Sequence, residues 1–223
     1  MLDREGLPLD PISITFTTGA LEPSVSYAVP SQVGTYGAGV EQLLYFYATN
    51  FASVDFELYA LDDADLMRIL EQGSLPQGTG NEPWAPSGAP LRRWTESVEG
   101  ARNVPVQGVT SLGDGAPLAA GHYYVRTPGT PYGGALAFSV VDTAITTKLS
   151  NDELLIWALD HDSGTPVGDL ELTVSGPGVQ GVSVRTDAQG FASVAVPRPR
   201  DVVDTWRMYV VRSDGTRTGL ARS

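Results

Sequence analysis

The chain has 223 residues, enough for one large domain or two small ones. It contains no cysteine, which excludes disulfide bonds, a thiolate nucleophile and cysteine-bound zinc or iron–sulfur centres. Its net charge of −12 argues against nucleic acid and anionic membrane surfaces as partners, because both are themselves negatively charged.

Membrane and export segments are not evident in the sequence. No apolar run approaches the ~20 residues that a membrane-spanning helix requires. Residues 1–11 (MLDREGLPLDP) lack the basic and apolar regions of a signal peptide. We therefore expect either a cytosolic protein or a piece of a longer chain.

Short apolar runs that alternate with polar residues are spread along the chain, and its 25 glycines and 16 prolines fall between them. This pattern is typical of half-buried β-strands joined by tight turns, and so predicts an all-β protein of sandwich type. In chain order, the predicted strands are residues 12–16, 43–49, 54–61, 104–109, 122–127, 136–141, 153–159, 170–174, 182–186, 191–196 and 206–212.

One segment departs from the two-residue alternation. Residues 62–71 begin with aspartates and continue with leucine and isoleucine at helical spacing, which predicts a short helix ending at Gly73. Residues 73–90 are rich in glycine and proline, so we predict an exposed, irregular loop there. We expect a protease to cut this loop before any other part of the chain.

A weak internal repeat indicates two similar modules. Residues 123–129 (YYVRTPG) resemble residues 209–215 (YVVRSDG), about one small β-sandwich further along the chain. The predicted domains are residues 1–141, which include the helix and the loop, and residues 142–223.

The triplet Asp160-His161-Asp162 has two possible interpretations, a small metal site or the polar end of a hairpin. In a strand, the two aspartates lie on one face and His161 lies on the other. The three side chains then do not converge, which favours the hairpin.

Other candidates for chemistry are equally weak. A Ser–His–Asp site lacks a G-x-S-x-G motif, and His122 is predicted to be a surface residue of a strand. Asp62, Asp63 and Asp65 do not match a calcium-loop pattern and are better explained as the start of the helix. We therefore predict no catalytic residue, no cofactor or cofactor-binding residue, and no metal ligand.

The four tryptophans could form platforms for carbohydrate. Trp157 and Trp206 lie in alternating runs and are predicted to be core residues, Trp157 sharing an apolar face with Leu155 and Leu159. Trp84 lies in the predicted loop and is the one tryptophan that we expect to be exposed.

Several motifs follow one another in a recognisable order across the predicted domain junction. This succession resembles the macroglobulin domains of the bacterial α2-macroglobulin family, and residues 54–59 with 117–126 resemble the preceding domain of that family. The motifs are residues 138–148 (FSVVDTAITTK), 152–160 (DELLIWALD), 163–167 (SGTPV) and 186–190 (TDAQG).

The resemblance implies two tandem Ig-like, macroglobulin-type antiparallel β-sandwiches with one short helix in the first. It implies a scaffold role, without catalysis, in a large protease trap of the bacterial cell envelope. The implied location is extracytoplasmic, and the implied partners are neighbouring macroglobulin domains of the parent chain and the proteases that the parent meets.

The family's thioester motif, C-x-E-Q, is not present. The pairs Glu41-Gln42 and Glu71-Gln72 have Gly39 and Ile69 where the motif requires cysteine. Covalent trapping by this segment is therefore excluded. The alternative function is that of Ig-like modules in a surface adhesin or a secreted glycan-binding protein.

Overall fold

The structure is a computed structural model that describes residues 4–5, 13–17, 19–29, 33–79, 82–130, 134–150, 152–176, 178–197, 209–213 and 218–222. Within these ranges it contains fifteen strands and one helix, which confirms the all-β prediction. The first eight strands are β1 (Ser24–Tyr27), β2 (Val33–Gly37), β3 (Leu43–Thr49), β4 (Ser53–Leu61), β5 (Arg92–Ser97), β6 (Val106–Ser111), β7 (Gly121–Arg126) and β8 (Ala135–Val141), with helix α1 (Asp63–Gln72) between β4 and β5. The remaining strands are β9 (Thr143–Leu149), β10 (Glu153–Asp160), β11 (Glu171–Gly176), β12 (Val179–Arg185), β13 (Phe191–Ala195), β14 (Tyr209–Ser213) and β15 (Thr218–Arg222).

The first eight strands form two sheets with a core between them. One sheet has the order β1-β3-β6, and the other has the order β2-β8-β7-β4-β5. All their pairings are antiparallel except that of β2 with β8. Phe46 of the first sheet meets Phe56 of the second edge-on, with ring centroids 5.2 Å apart, and both rings are buried.

The last seven strands form a second pair of sheets, β9-β10-β13 and β12-β11-β14-β15. Their core is aliphatic and includes Leu154 and Ile156 of β10 together with Leu172 and Val210 of the facing sheet. A core of this kind is stabilised by removal of apolar surface from water.

The strand order of the first pair of sheets recurs in the second. The order β8-β7-β4-β5 corresponds to β15-β14-β11-β12, and β1-β3-β6 corresponds to β9-β10-β13. The two repeated sequence segments therefore fall on strands in equivalent positions, β7 and β14.

The helix begins and ends where the sequence predicts. Asp62 is the N-cap, and its side chain accepts a hydrogen bond from the backbone N–H of Asp65 at 2.7 Å. Gly73 ends the helix in the left-handed conformation, with φ of 66°, which glycine adopts without a steric penalty. The aspartates that could have suggested calcium thus have a structural role at the helix start.

Several strand predictions require correction. Residues 13–16 are not a strand, and Ile14 and Phe16 are each 80% exposed; residue 12 lies outside the described residues. The strand predicted at 104–109 begins two residues later, as β6. Strands β1, β2, β5, β9 and β15 were not predicted, because polar or short segments such as β5 (RRWTES) gain strand structure from pairing with a neighbour.

The prediction that Trp157 is a core residue was wrong. In β10 the buried side chains are Leu154, Ile156 and Ala158, so Leu155 and Trp157 face outward. Trp157 is 39% exposed, stacks on Phe191 of β13 at 5.4 Å, and donates a hydrogen bond from its indole to a backbone carbonyl. Trp206 lies outside the described residues.

Candidate functional site

The five-stranded sheet is covered on its second face by α1 and by the irregular segment 73–90. Tyr59 and Tyr124 of the sheet pack there against Ile69 of the helix and Trp84 of the loop. Trp84 is half-buried and meets Tyr124 edge-on at 5.2 Å, so the prediction that it is exposed was wrong. It is not available as an open platform for a sugar ring.

A buried carboxylate lies at the centre of this face. Glu57 of β4 is 9% exposed, and its oxygens accept hydrogen bonds from Tyr59 at 2.6 Å, Arg93 at 2.9 Å and Arg126 at 2.9 Å. Both arginines lie directly across from Glu57 on the two neighbouring strands. The sequence did not single out this cluster, since its three charged members lie far apart along the chain.

Burial on its own would raise the pKa of Glu57, but the hydrogen bonds from Tyr59, Arg93 and Arg126 outweigh it and lower the pKa. The carboxyl group is therefore ionised at neutral pH and is fully occupied by its partners. A general acid or base needs a proton that it can exchange with a substrate. The geometry thus assigns Glu57 a structural role.

Arg126 also holds the loop against the sheet. Its guanidinium donates a hydrogen bond to the carbonyl of Pro83 at 2.8 Å and lies 3.8 Å from the Glu82 carboxylate. Glu82 in turn accepts a hydrogen bond from the backbone N–H of Gly129 at 3.0 Å. The described part of the loop has no helix or strand, as predicted, but its second half is anchored.

Limited proteolysis tests the expectation that segment 73–90 is cut first. The segment contains no lysine or arginine and few apolar residues, so a protease of broad specificity such as subtilisin is the appropriate probe. We expect the first cleavage on the N-terminal side of Glu82, because the residues after it are held by Arg126 and Trp84. A first cut in any β-hairpin of the second pair of sheets would contradict this prediction.

The structure brings a serine, a histidine and an aspartate together, although in the wrong place for catalysis. Nδ1 of His122 lies 2.8 Å from the Ser139 hydroxyl, and Nε2 lies 3.7 Å from the Asp63 carboxylate at the start of α1. His122 is 3% exposed and Ser139 is 0% exposed, so no substrate reaches the hydroxyl. The prediction that His122 lies at the surface was wrong, because α1 covers that face of its strand.

Burial lowers the pKa of His122, and the nearby Asp63 carboxylate only partly offsets this effect. As the pH falls, the unfolded chain therefore takes up a proton at this histidine near the ordinary pKa of ~6.5, whereas the folded chain takes it up only at lower pH. We expect the free energy of unfolding to fall as the pH drops below that value. Between pH 7.5 and 5.5, urea denaturation should show a smaller loss of unfolding free energy for His122→Gln than for the unchanged protein, whereas equal losses would contradict the prediction.

The Asp160-His161-Asp162 triplet forms the end of a hairpin, as the sequence favours. The carboxylate of Asp160 accepts hydrogen bonds from the backbone N–H of Ser163 at 3.0 Å and from its hydroxyl at 2.8 Å. Nδ1 of His161 lies 3.5 Å from the Asp162 carboxylate. In the part of the chain that the structure describes, no three histidine or acidic side chains are placed to hold a metal ion.

An open cleft of about 740 Å³ lies at one end of the first pair of sheets. Beside it, the Asn50 side chain donates a hydrogen bond to that of Asn103 at 3.0 Å. Asn103 accepts a hydrogen bond from the backbone N–H of Leu21, and Asn50 donates one to the Leu21 carbonyl. Both asparagines have φ near +60°, a conformation that suits turns. These two asparagines thus fix the chain segment around Leu21 at the edge of the cleft.

The outer faces of the two three-stranded sheets carry exposed aromatic side chains. Tyr45 and Tyr47 of β3 are 47% and 42% exposed, and Trp157 and Phe191 occupy the corresponding face of the second sheet. Apolar side chains grouped on a surface in this way are typical of contact regions with other domains or ligands.

The fold defines a class of protein built from tandem antiparallel β-sandwiches, and comparison with known proteins narrows that class. No family model matches the sequence, and no curated protein matches it. Solved structures do match. A crystal structure of native α2-macroglobulin from Escherichia coli spanning domains MG0-NIE-MG1 is 20% identical, with a TM-score of 0.67 over 92% of this chain and 66% of that chain.

Two further structures define the extent of the likeness. The E. coli structure spanning NIE-MG1 is 20% identical, with a TM-score of 0.62 over 90% of this chain and 96% of that chain. A mutant α2-macroglobulin from Salmonella is 18% identical, with a TM-score of 0.67 over 92% of this chain but only 12% of that chain. The chain therefore has the fold of the NIE-MG1 segment of a bacterial α2-macroglobulin and spans a small part of such a protein's length.

Proposed function

We propose that this chain is a non-catalytic scaffold segment of a large α2-macroglobulin-like protease trap. The observation that supports the proposal is the match in fold to the NIE-MG1 segment over nine tenths of the chain. Scaffold domains need stable packing and exposed contact surfaces rather than a reactive centre. The buried Ser–His–Asp group and the fully engaged Glu57 fit that role.

We further propose that the chain divides into domains 1–141 and 142–223. Three observations support the division: the two pairs of sheets repeat one strand order, each pair encloses its own apolar core, and only Asp142 separates β8 from β9. A domain is expected to have a core of its own.

The proposed partners are neighbouring domains of a longer parent chain and the proteases that the parent captures. The exposed aromatic faces of β3 and β10 support contacts with further domains. The proposed location is extracytoplasmic, by analogy with the bacterial trap proteins. In the ranges that the structure describes, no helix is long and apolar enough to cross a membrane.

The parent protein provides the decisive assay. We expect a protease incubated with it to keep its activity on a small peptide substrate, to lose its activity on a large protein substrate, and to reduce the parent's hydrodynamic radius. The 223-residue chain alone should neither hydrolyse these substrates nor inhibit either reaction. Inhibition of small-substrate cleavage by the chain alone at micromolar concentration would contradict the proposal.

The alternative, a glycan-binding module, is supported by the exposed stacked pair Trp157 and Phe191. Exposed aromatic rings on the surface of a sheet can contact the apolar face of a sugar. A glycan array distinguishes the two functions. Binding that is lost in Trp157→Ala and retained in Leu155→Ala would favour the alternative, and no binding would favour the scaffold.

A further inference from the structure

The two proposed domains are joined without a flexible linker. Strand β8 ends at Val141 and β9 begins at Thr143, so Asp142 is the whole connection. Its carbonyl accepts a hydrogen bond from the backbone N–H of His161 at 2.8 Å, and its carboxylate accepts one from the Thr143 hydroxyl at 2.9 Å. A single residue held on both its backbone and its side chain leaves little freedom for bending at this point.

Helix α1 contacts both domains. Leu66 and Leu70 are 0% and 3% exposed, although they lie on a helix that covers the outside of the first domain's sheet. Leu220, on strand β15 of the second domain, packs against them together with Met67. The helix is therefore buried partly by the first domain and partly by the second.

A third contact lies between the domains at the end of β2. The ring of His161 packs against the backbone at Gly37 so closely that a Cβ added there would lie 2.8 Å from the ring atom Cε1. Real Cβ atoms do not approach neighbours this closely, so any other residue at position 37 would displace the His161 ring. His161, in the triplet considered above for metal binding, thus has a place in the interface.

We infer that the two domains move as one rigid body, held together by α1 against β15, by His161 against Gly37, and by the one-residue connection. The three contacts lie on different elements, so rotation about Asp142 would have to break at least two of them. If the chain belongs to a trap that changes shape, as proposed above, the movement occurs at junctions other than this one.

Distance measurements between spin labels test the inference directly. The chain has no cysteine, so Gln107→Cys and Ser193→Cys introduce one exposed labelling site in each domain. Pulsed double electron–electron resonance on the full chain should show one narrow distance distribution. A broad distribution in the otherwise unchanged protein would overturn the inference.

Two substitutions show which contacts hold the domains. Leu220→Asp places a charge against α1 and should broaden the distribution, whereas Val182→Asp, on the partly exposed strand β12, should leave it narrow. Near-ultraviolet circular dichroism reports whether each variant remains folded.

If Leu220→Asp does not fold, Gly37→Val decides the question. The valine collides with the His161 ring, pushes the two domains apart at this point and should broaden the distribution. His161→Ala in the same protein removes the collision, and the two remaining contacts should then restore a narrow distribution. An unchanged distribution in Gly37→Val would overturn the inference. The measurement uses the isolated chain, so its failure leaves the protease assay on the parent protein unaffected.

Discussion

Replacing Ile156 by alanine is expected to lower the free energy of unfolding by ~2–5 kcal/mol, because its side chain is 1% exposed in an aliphatic core. Trp157→Ala, one residue further along the same strand, should cost only about 1 kcal/mol. The larger side chain is the less important one because it is 39% exposed and contacts chiefly Phe191.

Urea denaturation followed by far-ultraviolet circular dichroism measures both changes. Because the two positions are adjacent, the comparison also tests which face of β10 points inward. A larger loss for Trp157→Ala than for Ile156→Ala would mean that β10 faces the core with its other side. Leu155→Ala, on the outer face, serves as a further control and should resemble Trp157→Ala.

Replacing Arg126 by alanine is expected to cost ~3–5 kcal/mol, because it removes one partner of a buried ion pair. The Arg126 side chain is 14% exposed, and its loss would also free the carbonyl of Pro83. Arg93→Ala removes the other arginine from the same Glu57 carboxylate. Since the Arg93 side chain is 68% exposed, we expect a cost of about 1 kcal/mol or less.

The two arginine variants also differ in their expected effect on the loop. Arg126→Ala should accelerate subtilisin cleavage within residues 82–90, where Arg126 holds the loop, and Arg93→Ala should not. Equal stability losses in the two variants would show that Glu57 does not depend on the buried partner. Because the Glu57 pKa is lowered in the folded chain, the difference between the variants should shrink as the pH falls through that pKa.

Much of the fold follows from local sequence patterns. Alternation predicts β3, β4, β7, β8, β10 and β13 because a strand exposes alternate residues to opposite sides whatever its neighbours are. Asp62 and Gly73 define the helix because capping is a contact between residues close in sequence. The resemblance to bacterial α2-macroglobulins, drawn from motifs across the junction, is confirmed at the level of fold.

The wrong predictions of burial share one cause: the local sequence does not show which surface will pack against a given side chain. In β10 both faces are apolar, so alternation identifies a strand but not its inner side, and Trp157 was assigned to the wrong one. His122 is buried and Trp84 half-buried because α1 and the loop fold back over the sheet, and no local pattern shows that they do.

The sequence by itself therefore determined the strands with clear alternation, the helix and its ends, and the repeat of one architecture. Only the tertiary structure decided which faces are buried and which two arginines, from separate strands, bind Glu57. It also decided that α1 and His161 contact both halves of the chain. The physical reason is the distance along the sequence over which each interaction acts. Backbone periodicity and capping involve residues a few positions apart, whereas burial and charge pairing depend on surfaces that meet only after the chain has folded.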